Sequence, residues 1–271
     1  MPSVTTNAVL RDMLAYKQPP PIDRPMLATN LDSWGIAREV GDLLLHNPNA
    51  LLFSTIFNYQ IKYQKALEAP FELALRLGHL DVRQLAKMRQ KDLARQIRGD
   101  ETAHSLHRFP AVVAGRLIAA SKLLLRKYGG NAANIWPNGK SAAEVVSRLD
   151  EFEGIGQKLS RLMGRILVAY MGVTLTNWQE LDIAVDRHVA RVFLRTGLVV
   201  RSPGAYPVSA LVEEVTAKAR RLYPKFPAAL DEPAVEVGMD WCNAEKAYCD
   251  WPEYPCPLRK SCPKNINLNV Q

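Results

Sequence analysis

The sequence predicts an all-α protein, and three observations carry that expectation. Apolar residues recur at three-and-four spacing from Trp34 onward, no segment shows a convincing period-two alternation, and glycines or capping residues stand where periodic stretches stop. The first 35 or so residues mix short apolar pieces with polar residues and the run Pro19 to Pro21, and they read as an arm lying on the body and not as a core element. Helical spacing then occupies 35–46, 50–67, 70–78, 81–87, 91–98 and 109–127, the last closed by Gly129-Gly130. Ser141 followed three residues later by Glu144 has capping-box form at the head of 141–151. The stretches 157–172, 187–196 (closed by Gly197) and 207–222 complete the series. No solenoid-period repeat occurs, and neither Pro-dotted segment reads as a linker between independent domains.

A chain of 271 residues with 48% hydrophobic and 23% charged residues can bury a substantial core. The formal charge of +8 favours an acidic partner, because clustered Lys and Arg displace counterions from a phosphate backbone. Arg11 and Lys17 interrupt the N-terminal apolar stretch, so no signal-peptide core is expected, and no window reaches the roughly 18 uninterrupted apolar residues of a membrane span. An intracellular protein without membrane association is expected. All four cysteines, Cys242, Cys249, Cys256 and Cys262, fall within the last thirty residues. In a reducing compartment such a cluster points to metal binding before disulfides.

Two segments carry the chemistry. Leu149-Asp150-Glu151-Phe152-Glu153-Gly154-Ile155-Gly156-Gln157-Lys158 places a Gly-hydrophobic-Gly turn between two helical patterns. Glycines at Gly154 and Gly156 leave the backbone uncovered, so N–H groups opening the second helix can face a phosphate oxygen, while Ile155 plugs the turn into the core. Leu181-Asp182-Ile183-Ala184-Val185-Asp186-Arg187-His188-Val189-Ala190-Arg191-Val192 places an acid at the mouth of a helix. Taken singly, the turn also suits an ordinary αα-hairpin, Asp186 a plain N-cap, and Lys158 a solvated first-turn cation.

Taken together, these residues resemble the helix-hairpin-helix DNA glycosylase superfamily, and within it the endonuclease III type, most densely over 149–197. The resemblance implies that Lys158 is the catalytic lysine, forming a Schiff base with a flipped nucleotide, and that Asp186 is the catalytic aspartate. It further implies double-stranded DNA contacts from Gly154, Ile155, Gly156, Arg161, Arg187 and His188. Glu153 departs from the pattern where Pro is usual, and the lysine-to-aspartate interval is about ten residues longer through Thr174 to Glu180. Aligned on Ser54, Leu51-Leu52-Phe53-Ser54-Thr55-Ile56 puts Ile56 in the place of the family's intercalating glutamine, with Asn58, Tyr59 and Gln60 as base-pocket candidates.

The cysteine intervals, C-x6-C-x6-C-x5-C, agree with the family's [4Fe–4S] pattern in the first and last gaps, and the middle one is four residues longer. A [4Fe–4S] cluster on all four is expected, with structural zinc as the alternative, fixing a loop that turns Arg259, Lys260 and Lys264 toward the DNA backbone. The implied architecture has two lobes, a bundle over 48–172 ending in the hairpin and a second lobe of 1–47 plus 173–271, with a monomer as the default. The expected activity is excision of a damaged, mismatched or modified base, a pyrimidine by analogy, with accompanying strand cleavage by β-elimination. Two other readings stay open: a monofunctional glycosylase in which Asp186 activates water, and a non-catalytic DNA-binding module holding structural zinc.

Overall fold

The computed structural model describes residues 4–17 and 35–271, and the Pro19 to Pro21 run lies outside them. The chain divides into two compact units, one of Ile22–Thr176 and the other of Met1–Pro21 with Asn177–Gln271. The first is called the hairpin unit and the second the cysteine unit. Helices dominate both, as expected, and no helix among the described residues is long and apolar enough to cross a membrane.

In the hairpin unit, α2 (Arg38–His46) leads through Asn47 into α3 (Pro48–Phe57). Asn47 ends one helix and caps the next, its side chain accepting from Asn49 N at 3.1 Å and Ala50 N at 3.2 Å, while Pro48 supplies the fixed φ of a first helical position. The expected 50–67 helix is broken at Asn58, and α4 (Tyr63–Leu77) resumes at Tyr63 and runs through Pro70. Asp81 caps the short α5 (Val82–Leu85), α6 (Gln90–Arg98) follows, and α7 (Pro110–Lys127) starts on a proline. Gly129 and Gly130 then turn the chain at φ +61° and +80°. The hydroxyl of Ser141 accepts from Glu144 N at 3.2 Å to cap α8 (Ala142–Leu149), but the Glu144 carboxylate pairs with Lys140 and Arg148 and so leaves the capping box half-made. The hairpin leads to α9 (Gln157–Ala169).

The lobe boundary differs from expectation. Ile36, Val40 and Leu44 pack against Ala50, Leu67, Ile166 and Tyr170, so the segment around α2 belongs with the hairpin unit. Its apolar stripe is complementary to α9, and tertiary burial overrides proximity in sequence.

The cysteine unit holds α1 (Val4–Tyr16), α10 (Arg187–Arg195), α11 (Val212–Leu222) and α12 (Asp231–Asp240). A short parallel pair, β1 (Gly204–Tyr206) with β2 (Leu268–Val270), ties the C-terminus to the middle of the chain. The expectation of a non-core arm is overturned for α1: Val9 and Met13 are fully buried in the same cluster as Phe193, Val237 and Trp241. Tyr16 stacks edge-on against Trp241 at 5.7 Å and its hydroxyl donates to Glu236 at 3.0 Å, which fastens the end of α1 to α12.

Candidate nucleic-acid interface and metal centre

The hairpin unit builds its turn from three residues with separate jobs. Gly154 has φ +91°, and a Cβ there would stand 2.6 Å from Arg116 Cδ, so both backbone conformation and space demand glycine. Ile155 is 2% exposed and anchors the turn, its N–H bonded to Phe152 O at 2.9 Å. Gly156 opens α9 at φ −103° with no side-chain cap, and a Cβ built on it meets no atom within 4 Å. The first N–H groups of α9 therefore face open space without a capping side chain, the arrangement that receives an oxyanion at a helix start. Lys158, the second residue of α9, is exposed. Arg161 is half-buried, whereas Arg165, on the same face one turn later, is buried with its guanidinium 5.7 Å from the Tyr170 ring and faces the core.

The wedge expectation is corrected by burial. Ile56 is fully buried, because the last turn of α3 faces the core on every side from Ala50 to Phe57. An isoleucine held there cannot enter a base stack. The accessible residues lie just beyond, in the turn between α3 and α4: Asn58 and Tyr59 are half-buried, and Gln60 is exposed with φ +54°, a left-handed conformation costly for a residue with a side chain. Tyr59 is engaged by the fold. Its ring stacks with His107 at 6.2 Å, tilts against Phe109 at 5.8 Å and lies 4.4 Å beneath the Arg116 guanidinium. Phe109 N donates to His107 Nδ1 at 2.9 Å, so Nε2 carries the ring proton and donates to Tyr59 O at 2.8 Å. Burial, aided by the nearby Arg116 and Arg108 charges, holds His107 below the usual imidazole range.

In the cysteine unit, Asp186 ends the strand-like run Ile183 to Val185 and caps α10. Its Oδ1 accepts from His188 N at 2.8 Å and Val189 N at 3.0 Å, fixing a half-buried carboxylate at the positive end of the helix. Arg187 is exposed. His188 turns inward, its Nδ1 3.2 Å from Gly238 O, and burial keeps it below the usual imidazole range. Gly238 must be glycine for this contact, since a Cβ would stand 2.8 Å from His188 Cβ. Of the three arginines on α10 only Arg187 is exposed: Arg191 is 2% and Arg195 4% exposed. Arg191 donates to Cys242 O at 2.5 Å and Gly238 O at 2.7 Å; Arg195 donates to Asn243 O at 2.7 Å and Leu268 O at 2.8 Å. Their i,i+4 spacing on α10 was the one sequence signal for this shared role.

These arginines support the cysteine loop. None of the four cysteines is in a disulfide; Cys256 is buried and the others half-buried. The backbone brings the loop back on itself, with Cys256 N bonded to Cys249 O at 3.1 Å. Donors reach three of the sulphurs: Arg195 Nη1 lies 3.7 Å from Cys242 Sγ, Lys264 N lies 3.3 Å from Cys262 Sγ, and the Leu258 backbone N–H bonds Cys256. Burial pushes Cys256 up to about 12 and Cys262 to about 11, and the neighbouring thiols add to both shifts. Burial likewise raises Cys249, and soft sulphur donors of this kind suit a group whose positive charge would hold them as thiolates. Among the described residues, no three His, Cys, Asp or Glu side chains are gathered closely enough to hold a metal ion. Arg259 and Lys260 are exposed, while Lys264 is paired with Asp250 at 2.6 Å.

No family model and no curated protein matches this sequence. Solved structures do match. A trapped endonuclease III–DNA covalent intermediate superposes with a TM-score of 0.57 at 19% identity, over 83% of this chain and 92% of that one. A non-covalent endonuclease III–DNA complex gives 0.56 at 19% identity, over 88% and 97%. A thermostable thymine-DNA glycosylase gives 0.54 at 13% identity, over 96% and 94%. The fold is that of the helix-hairpin-helix glycosylases. Within that fold the turn at Gly154 to Gly156 is the hairpin itself, as its sequence predicted.

Proposed function

We propose that the chain is a DNA glycosylase acting on double-stranded DNA, with Lys158 and Asp186 as its catalytic residues. The observation that carries this reading is the hairpin: a glycine-demanding turn, a buried Ile155 anchor and an uncapped, unobstructed helix start with Lys158 exposed on its first turn. The backbone N–H groups of Gly156 and its successors would take a phosphate oxygen beside the target nucleotide. The solved neighbours, two endonuclease III–DNA complexes and a thymine-DNA glycosylase, support the same class.

In the proposed reaction the Lys158 amine attacks C1′ of a flipped nucleotide, the C1′–N bond breaks, and the base departs with the bonding pair and takes up a proton. The Asp186 carboxylate stabilises positive charge developing on the sugar. Ring opening gives a Schiff base on Lys158, and loss of a C2′ proton expels the 3′ phosphate by β-elimination. A pyrimidine is the proposed target class. Arg161, Arg187 and His188 are proposed on the DNA side, His188 acting through the backbone geometry of the α10 start because its ring faces Gly238.

The four cysteines are proposed to hold a [4Fe–4S] cluster, which would lend rigidity to the loop carrying Arg259 and Lys260. The N–H donors at Cys242 and Cys262 suit sulphurs that carry charge. Iron and acid-labile sulphide assays on protein purified without oxygen should return about four of each per chain. Stoichiometric zinc without iron would replace the cluster by a zinc centre.

The activity is tested by incubating the protein with duplexes carrying single oxidised pyrimidines, uracil or thymine mismatches, hydroxymethylated pyrimidines or an abasic site. Base release and strand scission are scored with and without borohydride. Trapping that disappears in Lys158→Ala, with base release abolished in Asp186→Asn, supports the full proposal. Base release without any trapped adduct assigns the chemistry to water and Asp186. Binding with no excision from any duplex overturns the enzyme reading in favour of a binding module.

A further inference from the structure

One half-buried cation in the hairpin unit is hard to explain by stability. Arg116, on α7, has Nε and Nη1 shielded from solvent and bonded to no acceptor. Its guanidinium lies 4.4 Å from the centre of the Tyr59 ring, and its stem presses on the hairpin so closely that only glycine fits at position 154. No acidic side chain is paired with it among the ion pairs of the described residues. Two shielded donors without acceptors cost stability, and the Tyr59 contact offsets only part of that cost. A methionine of similar reach would suit the same space without those donors.

Arg116 touches both the Gly154 turn, proposed to grip phosphate, and Tyr59, whose ring and carbonyl are fixed by His107. The next residue is Gln60, exposed and held at φ +54°. We propose that Arg116 is a positioning residue that couples the hairpin to the Tyr59–Gln60 turn, so that a phosphate seated on the hairpin sets where Gln60 meets the DNA. The strained turn and the two unsatisfied Arg116 donors are then two parts of one preorganised element, stability being given up for placement. This inference rests on the DNA-binding reading proposed above.

The test uses the full chain and a duplex with a tetrahydrofuran abasic analogue opposite 2-aminopurine, whose fluorescence reports unstacking of the orphaned base. Wild type should bind this duplex more tightly than an undamaged one and raise the fluorescence. Arg116→Met should melt no lower than wild type, keep its affinity for undamaged duplex, lose about tenfold in preference for the abasic duplex and fail to raise the fluorescence. Arg116→Lys, which keeps charge but loses the flat face over Tyr59, should show an intermediate fluorescence rise. Arg116→Met that melts lower while retaining the full fluorescence response would make the arginine a packing residue and overturn the inference. If wild type itself shows no preference for the abasic duplex, the underlying DNA-repair reading fails, a result separate from any effect of position 116.

Discussion

Replacing Asp186 separates its two assigned roles, because one depends on hydrogen-bond geometry and the other on charge. Oδ1 accepts two backbone N–H groups, at 2.8 Å from His188 and 3.0 Å from Val189. Alanine removes both, and loss of such a cap costs about 0.5–2 kcal/mol. In a chain of this size each kcal/mol lowers the melting temperature by about 2–4 °C, so Asp186→Ala should melt about 1–8 °C below wild type. Asparagine caps as well as aspartate but gives up the charge, whose attraction to the helix start is worth about 0.3–1 kcal/mol, so Asp186→Asn should melt above the alanine variant. Single-turnover base release on whichever duplex the wild type cleaves should nevertheless fall by about 10²-fold or more in both variants. Thermal denaturation and single-turnover kinetics on the same preparations read the two effects independently. Base release by Asp186→Asn at the wild-type rate would reduce Asp186 to a cap, and equal destabilisation by Asn and Ala would refute the capping geometry.

Three further predictions address the hairpin, the turn and pH. Gly154→Ala meets both a positive φ and the Arg116 side chain and should cost about 1–3 kcal/mol, whereas Gly156→Ala, at φ −103° with open space around it, should leave the melting temperature nearly unchanged and weaken duplex binding measured by anisotropy. Ile56→Ala should lose about 2–5 kcal/mol by opening a core cavity, while Gln60→Ala should leave stability nearly unchanged and lose 2-aminopurine fluorescence on abasic duplex; the opposite pattern would return the wedge to position 56. His107 is held below its usual range in the fold, so the unfolded chain binds its proton first as pH falls. Its stabilising contribution is complete above about pH 6.5 and declines as pH drops below that value toward the depressed folded-state pKa. His107→Gln should flatten the fall in denaturation midpoint between about pH 7 and pH 5, and an unchanged slope would show that other groups govern it.

The hairpin and the α10 cap were legible because each is a short-range device. A positive φ at Gly154 and an acid two and three residues before the N–H groups it binds are set within a few residues of chain, and local sterics suffice to specify them. The four cysteines are visible as one stretch of sequence, whereas the Arg195 side chain that reaches Cys242 Sγ from α10 is set by the fold. Helix α1 was less visible because its burial depends on Trp241 and α12, far along the chain, and α12 itself opens on Asp231, Glu232 and Pro233, whose polarity masks an apolar face.

What the sequence by itself determined, then, is the helical class, the turn that demands glycine, and the cap that demands an acid or amide. Tertiary structure alone decided which side of a helix meets solvent. The periodicity that makes α3 a helix is the same whether Ile56 points inward or outward, and only the packing around it buries it and leaves Gln60 exposed. Arginines on α10 read as solvated until the folded loop supplies carbonyls for Arg191 and Arg195, and Arg116 is an ordinary basic residue until folding sets it between Tyr59 and Gly154 without an acceptor. Local backbone chemistry is written in neighbouring residues. Burial of a charge or of an apolar side chain is a property of groups distant in the chain, and its free energy exists only once they meet.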